Sequence, residues 1–516
     1  MADHIEKGAT VANAKERFTK LHGRRDQVLQ RGRDCSAITI PALMPPEGSD
    51  ENTALSTPYQ SLGSRGVNNL ASKLRLALFP PGNPFFRFQI AQETLDVIAS
   101  EDPKAVEAVE GVMQDLENKA LDELEQGTDA VILHSAIKQL IVVGNVLLHM
   151  PKSEDSRIFR LQNYVVVRDA SGNWYEIVAQ EKVSKYTLPE KAAGLVKAKE
   201  GDDEDITIYT HVKKEGNKAV WYQEIDEQIV PGSEGKADYE NSPYIPLRWA
   251  ALENENYGRG HCEEYLGDLR SLEDLSKDIV SFSAAAAKVI FLDRPNSTTD
   301  IEALQEAQSG EFVEGNIEDI GVLQVGKFQD FKVVKSVIDD LSLRLSHAFL
   351  LTTGTVRNAE RVTAEEIRMQ AQELEDVLGG VYTVLAAELQ QKVVRRLIER
   401  LKAKGSFPIL PKGTVQPIIV TGFAALGRGH ELNKLRAYFQ DGVAMFGDAF
   451  MNEFDPAAVA DRLSTHHNLD VAALRKTDEQ KQQEASQLAQ ANLMDKAVGP
   501  VSGAIAQGVV ATVPEQ

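Results

Sequence analysis

Apolar residues recur at threes, fours and sevens along most of this 516-residue chain, the period of helices with one buried face. Over residues 10–33 the stripe is Val11, Ala14, Phe18, Leu21 and Val28, predicting one helix. A loop around Pro41, Pro45 and Pro46 follows, then a helix predicted over 57–78 and stopped by Pro80, Pro81 and Gly82. After Pro103 a third helix sets Val106, Val109, Met113, Leu116 and Leu124 on one side, and 132–148 reads as a buried helix. From 157 to 250 the period switches to two. There, 164–168 and 174–178 flank a turn at 169–173, and 206–212 and 220–225 flank Glu215-Gly216-Asn217, so two hairpins are expected. Helical spacing returns over 261–292 with Leu266, Leu269, Leu275, Ile279, Phe282 and Val289, ended by Arg294, Pro295 and Asn296. A mixed segment precedes a helix over 331–349, which Thr352-Thr353-Gly354-Thr355 breaks. The longest helical signal, 364–402, starts with a capping box of Thr363 and Glu366. Gly379 and Gly380 fall inside it at about 1 kcal/mol each against Ala, which predicts a kink or close packing. The fold class expected is mainly α with an inserted antiparallel β region, α+β.

Length and charge narrow this picture. A chain this long exceeds one compact core, so two or more structural regions are expected. The first ten residues lack the apolar core of a signal peptide, and the most apolar stretch, 137–148, is interrupted by Lys138, Gln139 and Asn145 and too short to span a bilayer. Cys35 and Cys262 lie far apart and make neither a disulfide framework nor a metal cage, which suits a soluble product of a reducing cytosol. Lys and Arg number 56 against 77 Asp and Glu, a formal charge of −21. A protein that grips DNA through phosphates carries a basic stripe, and this chain as a whole would repel it. Residues 91–130 hold twelve acidic side chains and only Lys104 and Lys119, read as a solvated acidic helix face, whereas 1–90 hold twelve basic and eight acidic ones.

The candidate chemistry fails on inspection. Gly321 to Phe328 follows a phosphate loop until its last place, where Phe328 replaces the hydroxyl that must hold magnesium, and no clear helix start is read there. The acidic run 201–205 lacks the recurrence of a calcium loop and reads as solvated. Gly-Arg-Gly-His at 258–261 and 427–430 reads as two similar turns, and adjacent His466 and His467 point apart on a helix. His134 and His149 read as satisfied core histidines, and Glu365-Glu366 as a solvated face. No catalytic centre, cofactor site or metal site is read from the sequence.

Longer blocks are more specific. Thr57 to Leu74 (TPYQSLGSRGVNNLASKL), continuing through Leu78-Phe79-Pro80, resembles the N-terminal signature of portal proteins of short-tailed, autographivirus-type podoviruses. The 137–148 and 164–169 blocks are similar to later blocks of that family. So are Tyr257-Gly-Arg-Gly260 with Glu263 to Glu273, and Arg361-Val-Thr-Ala-Glu-Glu-Ile-Arg368 with Glu373 to Tyr382. They fall in family order over about 27–476.

The resemblance implies a portal, or head-to-tail connector, fold assembled as a dodecameric ring with wing, stem, clip and crown around an axial channel. Residues 1–262 would be wing with the β insertion at 157–250, and 263–292 and 331–349 the two stem helices with the clip at 293–330. Residues 350–363 would form the channel loop, 364–422 the long kinked helix and wing return, 423–475 the crown and 476–516 a flexible tail. Such a ring would sit at the capsid vertex of the virion after assembly in the host cytoplasm. Its implied partners are further copies of itself, double-stranded DNA in the channel, the terminase large subunit, major capsid and scaffold proteins, a tail adaptor and internal core proteins, and no membrane. An acidic tube lets DNA slide, and Arg357, Arg361 and Arg368 are the candidate cations of a constriction; the plainer alternative pairs Arg361 and Arg368 with Glu365 on one helix. Three function classes follow: a passive conduit without enzyme activity, which leads, an ATP-driven motor, and a shell or scaffold protein.

Overall fold

In the computed structural model, which describes residues 13–82, 85–90, 103–188, 192, 194–195, 205–286, 290–296, 299–323, 328–351, 378, 380–407, 415–419 and scattered positions over 438–459, the first stripe folds as two helices. Asn13 caps α1 (Ala14–His22) by accepting the Glu16 N–H at 2.7 Å. The single helix expected over 10–33 turns a corner at Gly23-Arg24-Arg25 before α2 (Asp26–Ala37). Helix α3 (Leu62–Leu78) buries Val67, Leu70, Ala71, Leu74 and Leu78, and strand β1 (Phe86–Ile90) follows. In α4 (Pro103–Gln126), Met113, Leu116 and Leu124 are buried as expected. Its carboxylates are not simply solvated: Glu117 accepts the Phe88 N–H at 2.7 Å and Glu125 the Gly82 N–H at 2.8 Å.

Helix α5 (Asp129–Val143) stops short of the expected 148. Gly144, at φ 78°, donates its N–H to Leu140 at 3.0 Å, a left-handed cap that only glycine adopts without strain. A Cβ there would also lie 2.4 Å from the Gly260 nitrogen. The next residues form β2 (Asn145–His149), buried throughout. With β3 (Arg157–Phe159) it belongs to a three-stranded antiparallel sheet. The expected hairpins are present in a larger antiparallel sheet. It runs β4 (Tyr164–Arg168), β5 (Trp174–Val183), β6 (Ile206–Glu215), β7 (Lys218–Ile225) and β8 (Gln228–Ile229), with β9 (Gly235–Asp238) also on β7. Strand β10 (Tyr244–Arg248) returns to β2 in the smaller sheet, pairing Leu247 with Val146.

A short α6 (His261–Glu264) and α7 (Leu266–Ala286) replace the one helix expected over 261–292, because Ile290–Asp293 is strand β11. Helix α8 (Ile301–Glu306), β12 (Ile320–Leu323) and α9 (Phe328–Ala348) come next. Past residue 377, α10 (Gly380–Leu385), a π turn (Ala386–Gln390) and α11 (Gln391–Ala403) are continuous. A helix irregularity sits at 386–390; a Cβ on Gly380 would meet open space, and Gly379 lies outside the described residues. Strand β13 (Val415–Ile419) closes antiparallel on β1. The chain divides into two compact units, Met1–Ala425 and Leu426–Gln516. In the second, the rings of Tyr438, Phe439, Phe450 and Phe454 cluster, Phe439 and Phe454 at 5.0 Å.

The main core joins α3, α4, α5, β2 and α11 through Leu70, Leu116, Leu140, Leu147 and Leu397, each contributing about 1.5–3 kcal/mol on burial. Two buried arginines fasten α11 to it. Arg396 donates to the carbonyls of Met150 and Asn241, and Arg400 meets Asp129 at 2.6 Å. A smaller core holds α1 on the large sheet through Ala14, Phe18, Val165 and Val178. Glu224 accepts the Ala14 N–H at 2.7 Å, and Arg17 donates to Glu176 at 2.6 Å. Burial pushes the Glu176 carboxyl up, but hydrogen bonds from His211 and Arg17 more than offset it and hold it at about 2. Its contribution to α1 docking is thus complete above its ordinary value of 4.5 and fades as pH falls towards 2. Glu176→Gln is expected to raise amide exchange over 14–22 about tenfold or more at neutral pH, while α5 stays protected. Unchanged exchange in α1 would remove the ion pair from its docking.

Candidate functional site

Helices α7 and α9 pack side by side, with Phe282 and Phe331 at 5.3 Å between ring centres and Arg344 3.6 Å from Asp268. Strands β11 and β12 close the segment between them, pairing Ile290 with Leu323 and Asp293 with Ile320. Asp300 caps α8 by accepting the Glu302 and Ala303 N–H groups, and the Thr299 hydroxyl donates to Asp319 at 3.0 Å. Residues 299–323 carry seven Asp or Glu and no Lys or Arg. Phe312 and Ile317 stand 102% and 92% exposed there. Further apolar side chains face solvent on the helices: Val280, Val333, Val337 and Leu343. One expectation needs correction: α9 begins at Phe328, so a helix does start at the end of the phosphate-loop-like stretch. Lys327 lies outside the described residues, and Phe328 still stands where a magnesium-holding hydroxyl is required.

The last turn of α9 is the best-held part of the hairpin. Leu350 ends the helix at φ 55°, a left-handed conformation that costs a side-chain-bearing residue about 1–2 kcal/mol. The Leu351 N–H reaches the Ser346 carbonyl at 2.8 Å, completing a six-to-one cap. Three side chains from elsewhere take the exposed carbonyls. Asn69 Nδ2 donates to Phe349 at 3.0 Å and Leu350 at 2.9 Å, Lys73 Nζ donates to Leu350 at 3.1 Å, and His261 Nε2 donates to Ala348 at 3.0 Å. Burial lowers the His261 pKa, the Ala348 bond opposing, and a neutral ring donates through Nε2. Lys73 brings a buried cation to the negative end of the helix. Phe349 packs on Gly66, where a Cβ would come within 2.7 Å of the ring.

The expected channel cations Arg357, Arg361 and Arg368 lie outside the described residues, as do the capping box of Thr363 and Glu366 and the pair His466 and His467. What the structure does place are the two ends of the 352–377 segment: Leu350 and Leu378 both belong to the main core. His149, on a strand rather than a helix, accepts from Arg157; burial, with Arg157, Arg396 and Arg400, lowers its pKa to about 3. His134 is half-buried and its Nδ1 has no hydrogen-bond partner among the described residues, unlike the satisfied core histidine expected. Cys35 and Cys262 are free and buried, and burial raises the Cys35 thiol to about 12. Asn69, Lys73 and His261 were not singled out by the sequence reading, although Lys73 falls inside the apolar stripe of α3, three residues after Leu70.

The fold is thus an α+β body with a helical hairpin, acidic over 299–323 and held at the end of α9 by donors from α3 and α6. The sequence profile described as "Bacteriophage head to tail connecting protein" matches residues 11–473, and the chain belongs to that family. It is 40% identical over 494 residues to the portal protein of Enterobacteria phage T3, covering 93% of this chain and 91% of the relative. It is 39% identical to the portal protein of Escherichia phage T7, covering 98% and 95%, and 31% identical to that of Enterobacteria phage SP6, covering 84% of each. Among solved structures, the neck of a native GTA particle computed with C12 symmetry matches at 11% identity and a TM-score of 0.35, covering 73% of this chain and 85% of that one.

Asn69→Ala would leave two carbonyls at the end of α9 with fewer donors, at a cost of about 1–3 kcal/mol. Hydrogen exchange at 348–351 is expected to accelerate while the body of α3 stays protected. Equal protection in variant and parent would show that the cap stands without this contact.

Proposed function

We propose that this chain is the subunit of a portal: a dodecameric ring at one capsid vertex through which a separate terminase ATPase loads DNA and from which the tail later receives it. The observation that carries the reading is the match to a portal protein along 98% of this chain and 95% of the relative. In it, 263–292 with α7 and 331–349 with most of α9 are the stem, 293–330 the clip that meets terminase and tail adaptor, and 350–363 with Arg357 and Arg361 the channel loop. Capsid, scaffold and internal core proteins contact the remaining surface. The apolar side chains left exposed on α7, α9 and the 299–323 segment are what a neighbouring copy covers in a head-to-tail ring. A charge of −21 suits a conduit that must not hold DNA tightly, and energy for translocation comes from elsewhere.

Negative-stain images of the purified chain are expected to show rings with a central hole, and light scattering a mass near twelve chains; monomers at micromolar concentration would sink the reading. The isolated ring is expected to hydrolyse no ATP, and Lys327→Ala to leave packaging intact. Lys327-dependent hydrolysis without terminase would favour a motor. Arg357→Ala with Arg361→Ala is expected to change stability by less than about 0.5 kcal/mol yet lower the fraction of heads that retain full-length DNA. Normal retention in assembled particles would remove both arginines from the mechanism and leave helix pairing with Glu365 as the role of Arg361.

A further inference from the structure

A cavity of about 400 Å³ opens at the corner between α1 and α2, against β4 and residues 255–257. Four arginines line it, Arg17, Arg24, Arg25 and Arg31, over an apolar floor that includes Val28 and Val166. Their charges are unequally balanced. Arg17 pairs with Glu176, and Arg31 lies 3.6 Å from Glu263. Arg24 is exposed, and Arg25 is only 3% exposed; neither has a carboxylate partner among the described residues. Arg25 instead donates to the carbonyls of Leu161 at 2.8 Å and Gln162 at 3.3 Å, with the Tyr257 ring 5.4 Å from its guanidinium carbon. Its Nε–H is closed to water and has no hydrogen-bond partner among the described residues. Arg24 and Arg25 therefore leave net positive charge at the cavity, which favours an anionic occupant.

Of the five charged side chains that line the cavity, four are donors and Glu255 is the exception. Helix α2 spans twelve residues, and no side chain caps its first N–H groups. Tyr257 accepts from the Val166 N–H at 3.2 Å and from Arg25 at 3.5 Å, which leaves its own proton to donate. Asn256 accepts the Arg168 N–H at 2.7 Å through Oδ1. Two carboxylates are near. Glu255 lines the cavity but lies 3.4 Å from Arg259, and Asp26 in the first turn of α2 is exposed. Several guanidinium forks along one cavity suit a tetrahedral oxyanion, which accepts from more directions than a two-oxygen carboxylate.

We propose that this cavity binds a phosphate group, as free phosphate or as the phosphate monoester of a small molecule whose apolar part lies on the Val28 and Val166 floor. The site is independent of the portal reading, since it involves neither the hairpin nor the 352–377 segment. The test is calorimetric titration of the full-length assembled protein at fixed ionic strength with inorganic phosphate and, separately, adenosine 5′-monophosphate. Saturable binding is expected with a dissociation constant on the order of 1 mM or below. Tighter binding of the monophosphate identifies an ester as the ligand, and binding of phosphate alone a free ion. Arg24→Glu is expected to weaken binding at least tenfold, and Arg24→Ala, the milder change, to weaken it less. Arg65→Glu, the same charge change at an exposed position of α3, is expected to leave it unaltered. No saturable binding of either probe, or an equal loss in Arg24→Glu and Arg65→Glu, overturns the proposal.

Discussion

The carboxyl end of α9 is the constraint on which the rest of the hairpin depends. A helix ends with carbonyls that have no partner of their own, and here they point into the body of the protein. Asn69 and Lys73 of α3, with His261 of α6, supply the missing donors, so the hairpin is joined to the core through hydrogen bonds that only one register satisfies. Leu350 accepts left-handed backbone strain to make that register, and its buried side chain with Phe349 against Gly66 holds it there. Neutral His261 and charged Lys73 divide the task sensibly. The cation meets the terminal carbonyl, where the helix field is strongest, and the imidazole meets one a step inside.

The same constraint gives the 352–377 segment fixed ends. Leu350 enters it from the core and Leu378 returns to the core, after which α10, the π turn and α11 lead to Arg396 and Arg400. Removing one partner of the buried Arg400–Asp129 pair would leave an uncompensated charge, at about 3–5 kcal/mol. The return helix is therefore fastened to the base of α5, and α5 in turn ends at the Gly144 cap beside Gly260, one residue before His261. Helix α5 thus meets the return helix at its first residue and the hairpin root at its capping glycine.

Much of this was legible where periodicity ran long: α3, α4, the hairpins β4–β5 and β6–β7, and α9 lie close to their expected bounds. Failures came where a fully buried strand looks like a buried helix. Asn145–His149 continues the apolar run of α5, and only the left-handed glycine marks the change. Ile290–Asp293 likewise continues α7 in pattern, but it turns to pair with β12, a contact that no local spacing encodes. The corner at Gly23 was missed because Val28 falls in phase with Leu21 across it. Lys73 could have been found as a lysine inside an apolar stripe. His261 and Asn69 could not, because their partner lies about 90 and 280 residues away.

Buried arginines explain how so much irregular chain is held. Arg25 takes the carbonyls of Leu161 and Gln162. Arg168 takes those of Asn256, Gly172 and Pro246, Arg248 that of Glu255, and Arg396 those of Met150 and Asn241. A guanidinium has five donors in a rigid fork, so one side chain can satisfy two or three loop carbonyls that a strand or helix would otherwise have to pair. Burial, then repulsion from Arg248, lowers the Arg168 pKa to about 10, which still leaves it charged at neutral pH. Using arginine in this way spends cations on main-chain oxygens instead of on carboxylates. Those cations then do not neutralise carboxylates, and most of the Asp and Glu side chains over 299–323 face water. A chain of charge −21 is thus set against phosphate as a whole, and the cavity lined by Arg17, Arg24, Arg25 and Arg31 is a local departure from that balance.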